Sequence, residues 1–181
     1  MALYQIATVT DAKIETGNYI MYVGTLGATA AAAGWVNLGS GMLKNMDYVM
    51  EPFTSQGGNS VDPLEGIARE TAKLSFDLVE YDGSSFSSLS GGAMTGTSGS
   101  AVVGGQTSVL TGKGMKLVNT RKLASGSTQT TTYVLNKCFL DNGWTVAFKS
   151  DNDTDPIAVY SFAMTAKQYA TAGTIYTKTV A

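Results

Sequence analysis

The stretch Thr71-Ala-Lys-Leu-Ser-Phe-Asp-Leu-Val79 decides the fold. Ala72, Leu74, Phe76 and Leu78 alternate with Lys73, Ser75, Asp77 and Val79, a period of two. Successive side chains point to opposite faces in an extended chain, so the segment reads as a strand with one face in a core. It ends at Asp82-Gly83, a turn pair. Ser84 or Ser85 then stands where it caps a short helix reaching about Leu89, with Phe86 and Leu89 at i, i+3 spacing. Gly91-Gly92 stops that helix.

Upstream, Asn18-Tyr-Ile-Met-Tyr-Val-Gly24 reads as a first strand. The Ala-rich residues 27–34 lack an amphipathic period and are flanked by glycines, so a loop is expected. A long extended region begins at Trp35. Between residues 41 and 53 one face carries Met42, Lys44, Met46, Tyr48 and Met50, and the other Leu43, Asn45, Asp47, Val49, Glu51 and Phe53. Gln56-Gly-Gly-Asn-Ser60 is a turn cluster, after which the chain is extended again from Val61. Residues 41–64 are therefore expected to form a long projecting hairpin arm.

Downstream, residues 93–112 are dominated by Gly, Ser and Thr around Ala101-Val-Val103 and read as a loop or an edge strand. Residues 115–123 and 128–135 flank Ser125-Gly126, a hairpin signal. Residues 133–140 and 144–149 meet across Asn142-Gly143, which accepts the two positive φ angles of a type I′ turn and predicts a second hairpin. Residues 151–156 form a turn, and 157–166 a closing strand with Tyr160, Phe162 and Met164 on one face. The expected fold is all-β: one domain over residues 1–181, a β-sandwich or barrel with one short flanking helix and the projecting arm.

Composition narrows the function. At roughly 150 residues per domain, 181 residues favour a single domain. The apolar fraction of 44% supports a core without disulfides or metal. There is no histidine, so no Ser–His or Cys–His nucleophile pair and no imidazole ligand for zinc. Cys138 stands alone, which removes an intrachain disulfide and any CxxC pair. A net charge of −2 and an isoelectric point near 5.0 argue against a nucleic-acid binder, which needs a basic stripe. The first 16 residues lack a basic region followed by an apolar block, so no signal peptide is read there. The uncharged stretch 26–36 falls short of the ~20 residues of a membrane span. Synthesis and folding in the cytoplasm is the expectation, with no catalytic, cofactor-binding or metal-ligating residue assigned.

Four motifs resemble chemistry. Asp151-Asn-Asp-Thr-Asp155 opens like a calcium loop, but Pro156 occupies the glycine position and Phe162 that of the bidentate glutamate, which favours a polar turn. Thr111-Gly-Lys-Gly114 looks like the end of a phosphate-binding loop, but residue 107 is Thr and Gly114 fills the Ser/Thr position; a turn is expected. Glu65, Glu70, Glu80 and Asp82 offer carboxylates, yet Glu70 and Glu80 lie beyond ~30 Å apart along one strand. Cys138 alternates with Phe139 in a strand and reads as a buried, inert thiol.

The anomaly is the arm. Met46, Tyr48, Met50, Phe53, Val61 and Leu64 make it too apolar for a hairpin standing alone in water, and they are the candidate inter-subunit contacts. With the strand of residues 67–80 running straight into the short helix 83–90, and the closing stretches 137–151 and 157–166, this order of features resembles the tail tube (major tail) proteins of long-tailed bacteriophages. That resemblance implies a non-enzymatic virion protein, assembled in the host cytoplasm. Its copies would form stacked, hexameric rings making a weakly acidic conduit for genome delivery. It also implies contacts with other tail proteins (tape measure, terminator, tail tip) and double-stranded DNA passing without specific binding. No cofactor, small-molecule substrate or membrane contact is expected. Two other readings fit the same residues. One is a different tube or tail-completion component; the other is a monomeric carbohydrate-binding β-sandwich using Trp35 and Trp144 as stacking platforms.

Overall fold

The computed structural model describes residues 18–55, 64–78, 87–89, 94–97, 100–103, 111–147, 159–169 and 173–181. The strands are β1 (Asn18–Gly24), β2 (Val36–Ser55), β3 (Leu64–Leu78), β4 (Met94–Thr97), β5 (Ser100–Val103), β6 (Lys113–Lys122), β7 (Thr128–Ala147), β8 (Val159–Lys167) and β9 (Tyr176–Val180). Seven of them form one antiparallel sheet in the order β6-β1-β2-β3-β8-β7-β9, and a further β6–β7 pairing closes it on itself. The all-β sandwich or barrel expected from the sequence takes this closed form. Closure matters physically because it pairs backbone groups that an open edge would leave for another chain.

β7 makes the closure by changing partners along its length. Leu135 lies between Met115 of β6 and Tyr176 of β9, and Cys138 between Lys113 of β6 and Ala166 of β8. β9 and β8 therefore occupy the same flank of β7, one after the other. The expected hairpin at Asn142-Gly143 is not there. β7 runs through it, because β8 pairs with both sides: Leu140 faces Met164 and Trp144 faces Phe162. The ladder absorbs the surplus residues as a bulge, a feature that Asn-Gly also suits. Pairing with β8 outweighs the local turn preference. The Ser125-Gly126 hairpin does form, with Gly126 at φ 86° and Lys122 facing Thr128.

The alternation in β3 is realised as read. Ala72, Leu74, Phe76 and Leu78 are buried, while Lys73 is exposed and Asp77 half-buried. Phe76 stacks on Phe162 of β8 at 5.4 Å and 18°, and Trp144 leans on the same ring at 6.2 Å. Met21 and Val23 of β1, Met115 and Leu117 of β6, and Leu135 of β7 complete the interior. Gly41 permits the tight β2–β3 approach, since a Cβ there would collide with the Asp77 carbonyl oxygen. Residues 87–89 are helical and send Leu89 into the same core. The rest of the expected helix lies outside the described residues, as do residues 151–156. Within the stretch expected as a loop or edge strand, β4 and β5 pair as a separate two-stranded hairpin.

Burial of this kind sets a clear expectation. Phe76→Ala should lower unfolding free energy by about 3–5 kcal/mol in a denaturant titration, through lost transfer energy plus the cavity left behind. Exchanging the exposed Lys73 for Ala should change it by less than about 1 kcal/mol.

Candidate functional site

The site is the part of the β2–β3 ladder that the closed sheet does not flank. β1 pairs with β2 only from Val36 to Met42, and β8 pairs with β3 only from Thr71 to Leu78. The β2–β3 ladder itself continues to Ser55↔Leu64. Beyond Met42 and Thr71 the two strands therefore run on as a two-stranded ribbon with no third strand among the described residues. At about 3.3 Å per residue, the seven residues 64–70 alone carry it roughly 20 Å past the last β8 pair.

Register gives the ribbon two unlike faces. Met46 faces Leu74, Tyr48 faces Ala72 and Met50 faces Glu70. Leu74 and Ala72 point into the core, so this face is the core face prolonged beyond its cover. Exposure rises along it: Met46 is half-buried against the core cluster, whereas Tyr48 is 48% and Met50 54% exposed. Farther out, past the register shift at Glu51/Pro52, Ile67 is 51% exposed, and Phe53, on the other face of β2, is 46% exposed. The opposite face is mixed: Asp47 faces Lys73 and Glu51 faces Arg69 in register, with half-buried Val49 facing Thr71 between them. Cross-strand pairs of opposite charge favour a hairpin modestly and remain in water. The charged pairs thus lie on one face of the ribbon, and Met46, Tyr48 and Met50 on the other.

The root of the ribbon is fastened. Tyr48 donates its hydroxyl hydrogen to Glu70 Oε1 at 2.6 Å, and Gln168, one residue past β8, donates to Glu70 Oε2 at 2.6 Å. The bond to Glu70 is the main reason the Tyr48 phenol is held above its ordinary value of 10.0, since losing its proton would put two negative charges together. Lys44 pairs with Asp77 at 2.7 Å, and Ser161 donates to Asp77 at 2.6 Å.

Of the residues expected at an inter-subunit contact, Tyr48, Met50 and Phe53 lie exposed on the ribbon, and Met46 sits at the barrel mouth. Leu64 begins β3, and Val61 lies outside the described residues. Ile67 was not singled out from sequence, because it stands outside the clean alternation that begins at residue 71.

The remaining motifs find structural uses. Lys113 and Gly114 belong to β6 and not to a turn, and a Cβ on Gly114 would stand 2.7 Å from the Thr25 carbonyl oxygen, so glycine here serves close packing. Glu70 is engaged at the ribbon root, while Glu80 and Asp82 lie outside the described residues. Among the described residues no group of three His, Cys, Asp or Glu could hold a metal ion. Trp144 is spent on Phe162 and the core. Trp35 donates Nε1–H to the Thr29 carbonyl at 3.1 Å, and the Lys116 ammonium lies over its ring and that of Tyr22 at 4.9 and 4.7 Å. Partial burial there lowers the Lys116 pKa.

No protein-family model matches the chain, and no curated protein matches it. Among solved structures, the tube-terminating cap of the anti-feeding prophage aligns over 100% of both chains at 14% identity and a TM-score of 0.47. A chain of the PVC sheath–tube complex, from an extracellular contractile injection system in its extended state, aligns over 97% of this chain and 95% of its own, at 10% identity and TM-score 0.46. The Hcp1 protein from E. coli EAEC 042 pathovar aligns over 91% and 98%, at 10% identity and TM-score 0.37. With TM-scores below 0.5, none of these assigns a function to this chain.

Cys138 lies fully buried, and burial pushes its thiol far above the 9.0 of a free thiol. The unfolded chain therefore loses this proton first as pH rises, so the thiol's support for the fold is complete below about pH 9 and declines above it. At pH 8 an aromatic disulfide reagent should leave the native protein unlabelled and label one thiol in denaturant. Cys138→Val should flatten the alkaline loss of stability relative to the parent chain.

Proposed function

We propose that the chain is a structural subunit that polymerises through its β2–β3 ribbon into rings and tubes. The observation that carries this reading is the continuation of the core face past its cover, placing Tyr48 and Met50 in water at about half exposure. At roughly 25 cal/mol per Å² of apolar surface, a strip this large is worth several kcal/mol to any surface that covers it. A second copy is the occupant that the geometry serves best. The ribbon is one patch and the surface that receives it another, so the contact is heterologous. Such contacts generate closed rings or open filaments, not simple pairs.

Within this reading the chain is a tail tube component of the kind found in long-tailed phages, with hexameric rings stacked into a conduit for genome delivery. Its partners are further copies of itself and other tail proteins. It belongs to the virion, assembled in the host cytoplasm, and catalyses no reaction. A net charge of −2 suits a wall that double-stranded DNA passes without adhering. Nothing favours the carbohydrate-binding reading: Trp144, one of its two stacking platforms, is packed on Phe162.

The decisive test is Met50→Asp together with Ile67→Asp, two exposed apolar positions outside the hydrogen bonds at the ribbon root. The variant should keep its circular dichroism and thermal transition while the concentration needed for assembly, read by sedimentation and negative-stain microscopy, rises at least about tenfold. Tubes formed as readily as by the parent chain would overturn the ribbon's role, and loss of the fold would place the ribbon within the core.

A further inference from the structure

The ribbon leaves the barrel through a bulge. Leu43 of β2 faces Phe76 and Met46 faces Leu74, and both side chains pack against the core. Three residues apart on a regular strand, they would point to opposite faces. The ladder reconciles them by a register shift between Leu43 and Asn45, which leaves Lys44 without a partner in β3. Lys44 is thus a surplus residue, and it stands just past Met42, where pairing with β1 ends. Paired without a bulge, Asn45 would stand opposite Leu74. Asp47 and Val49 would then take the face that Met46, Tyr48 and Met50 now hold.

The bulge has a lock. Lys44 reaches back to Asp77, whose register partners are Met42 on β2 and Ser161 on β8. The Lys44 Nζ lies 2.7 Å from Asp77 Oδ2, and Ser161 Oγ donates to Asp77 Oδ1 at 2.6 Å. One carboxylate therefore ties the surplus residue of β2 to β3 and to β8. The lysine side chain is 49% exposed and the aspartate side chain 18%. A pair this open to water adds little to folding stability, so what it fixes is the conformation of the bulge. A bulge bends its strand and raises the local twist, so the one at Lys44 sets the direction of everything beyond it. Beyond it lie seven consecutive pairs, from Asn45↔Ser75 to Glu51↔Arg69, before the next register shift. At about 3.3 Å per residue this stretch is a lever of about 20 Å, and a turn of ~20° at its root moves its end by roughly 7 Å.

We infer that Lys44 is the positioning residue of the ribbon: its bulge aims the apolar strip, and Asp77 with Ser161 locks the aim. The inference rests on the polymerisation reading for what the aim serves, and adds how the direction is set. Rings close only when successive copies meet at one angle, so a strip of unchanged chemistry pointing elsewhere does not close them.

The test uses the full chain with spin labels at Arg69→Cys and Lys122→Cys, both exposed positions, the native Cys138 being buried. Deleting Lys44 removes the bulge and leaves Met46, Tyr48 and Met50 on their present face. Pulsed electron paramagnetic resonance on the isolated chain should then show the mean label distance shifted by at least about 3 Å. In the unlabelled deletion chain the concentration needed for assembly should rise at least about tenfold. Lys44→Met keeps the bulge and loses the lock, so the distance distribution should become about twice as wide. Lys44→Arg still pairs with Asp77 and should restore the parent distribution. The thermal transition should stay at the parent value in both point variants, whereas a merely stabilising role would move the transition and leave the distances alone. An unchanged mean distance on deletion would overturn the inference, and so would equal widths for Lys44→Met and Lys44→Arg. Should the deletion chain fail to fold, the comparison of the two point variants decides alone. Distances that respond in a parent chain forming no tubes would sink the polymerisation reading and keep the joint. Tubes formed as readily by the deletion chain would do the reverse.

Discussion

β2 and β3 are longer than the strands that flank them, and much of the structure depends on that mismatch. A β-ladder gains backbone hydrogen bonds with each residue added, but side chains on a ribbon face gain burial only where something covers them. Here cover from β1 ends at Met42 and from β8 at Thr71, while the ladder continues to Ser55 and Leu64. The core face therefore runs out of the barrel as Tyr48 and Met50 after Met46 has made the last contact inside. An isolated ribbon of this length is marginal in water, and it is held at its root by the Tyr48–Glu70–Gln168 hydrogen bonds.

Within the barrel the corresponding constraint is the length of β7. One strand of 20 residues serves β6, β8 and β9 in turn, and the surplus at 141–143 is taken up as a bulge. Closure leaves the interior well filled, with Phe76 and Phe162 stacked and Trp144 beside them. A filled, closed barrel makes a rigid base for the ribbon, and it leaves the charged and apolar surfaces outside to deal with neighbours.

Much of this was legible in the sequence, for physical reasons that differ by segment. β1 and β3 read correctly because one of their faces is buried and the other is not, which is the condition for a period of two. The arm was legible as an excess of apolar residues on an extended segment, and Tyr48, Met50 and Phe53 are the residues that stand out in water. β9 was not legible, since its residues are mostly exposed and carry no alternation. Asn142-Gly143 misled because turn preference is local, whereas the choice between turn and bulge was made by β8. The bulge was invisible for a similar reason: strict alternation sets Lys44 with Met42 and Met46, and only pairing with β3 leaves Lys44 over and turns Leu43 inward with Met46.

The central claim is that the ribbon is an uncovered extension of the core which another copy covers. Amide hydrogen exchange, followed residue by residue before and after assembly, tests it most directly. In the isolated chain, amides at 45–55 and 64–70 should exchange far faster than those of β1, β6 and the inner half of β3, because a two-stranded ribbon opens locally. On assembly they should slow to the rates of the barrel. Ribbon amides already as protected in the isolated chain as those of the barrel, or unchanged on assembly, would contradict it.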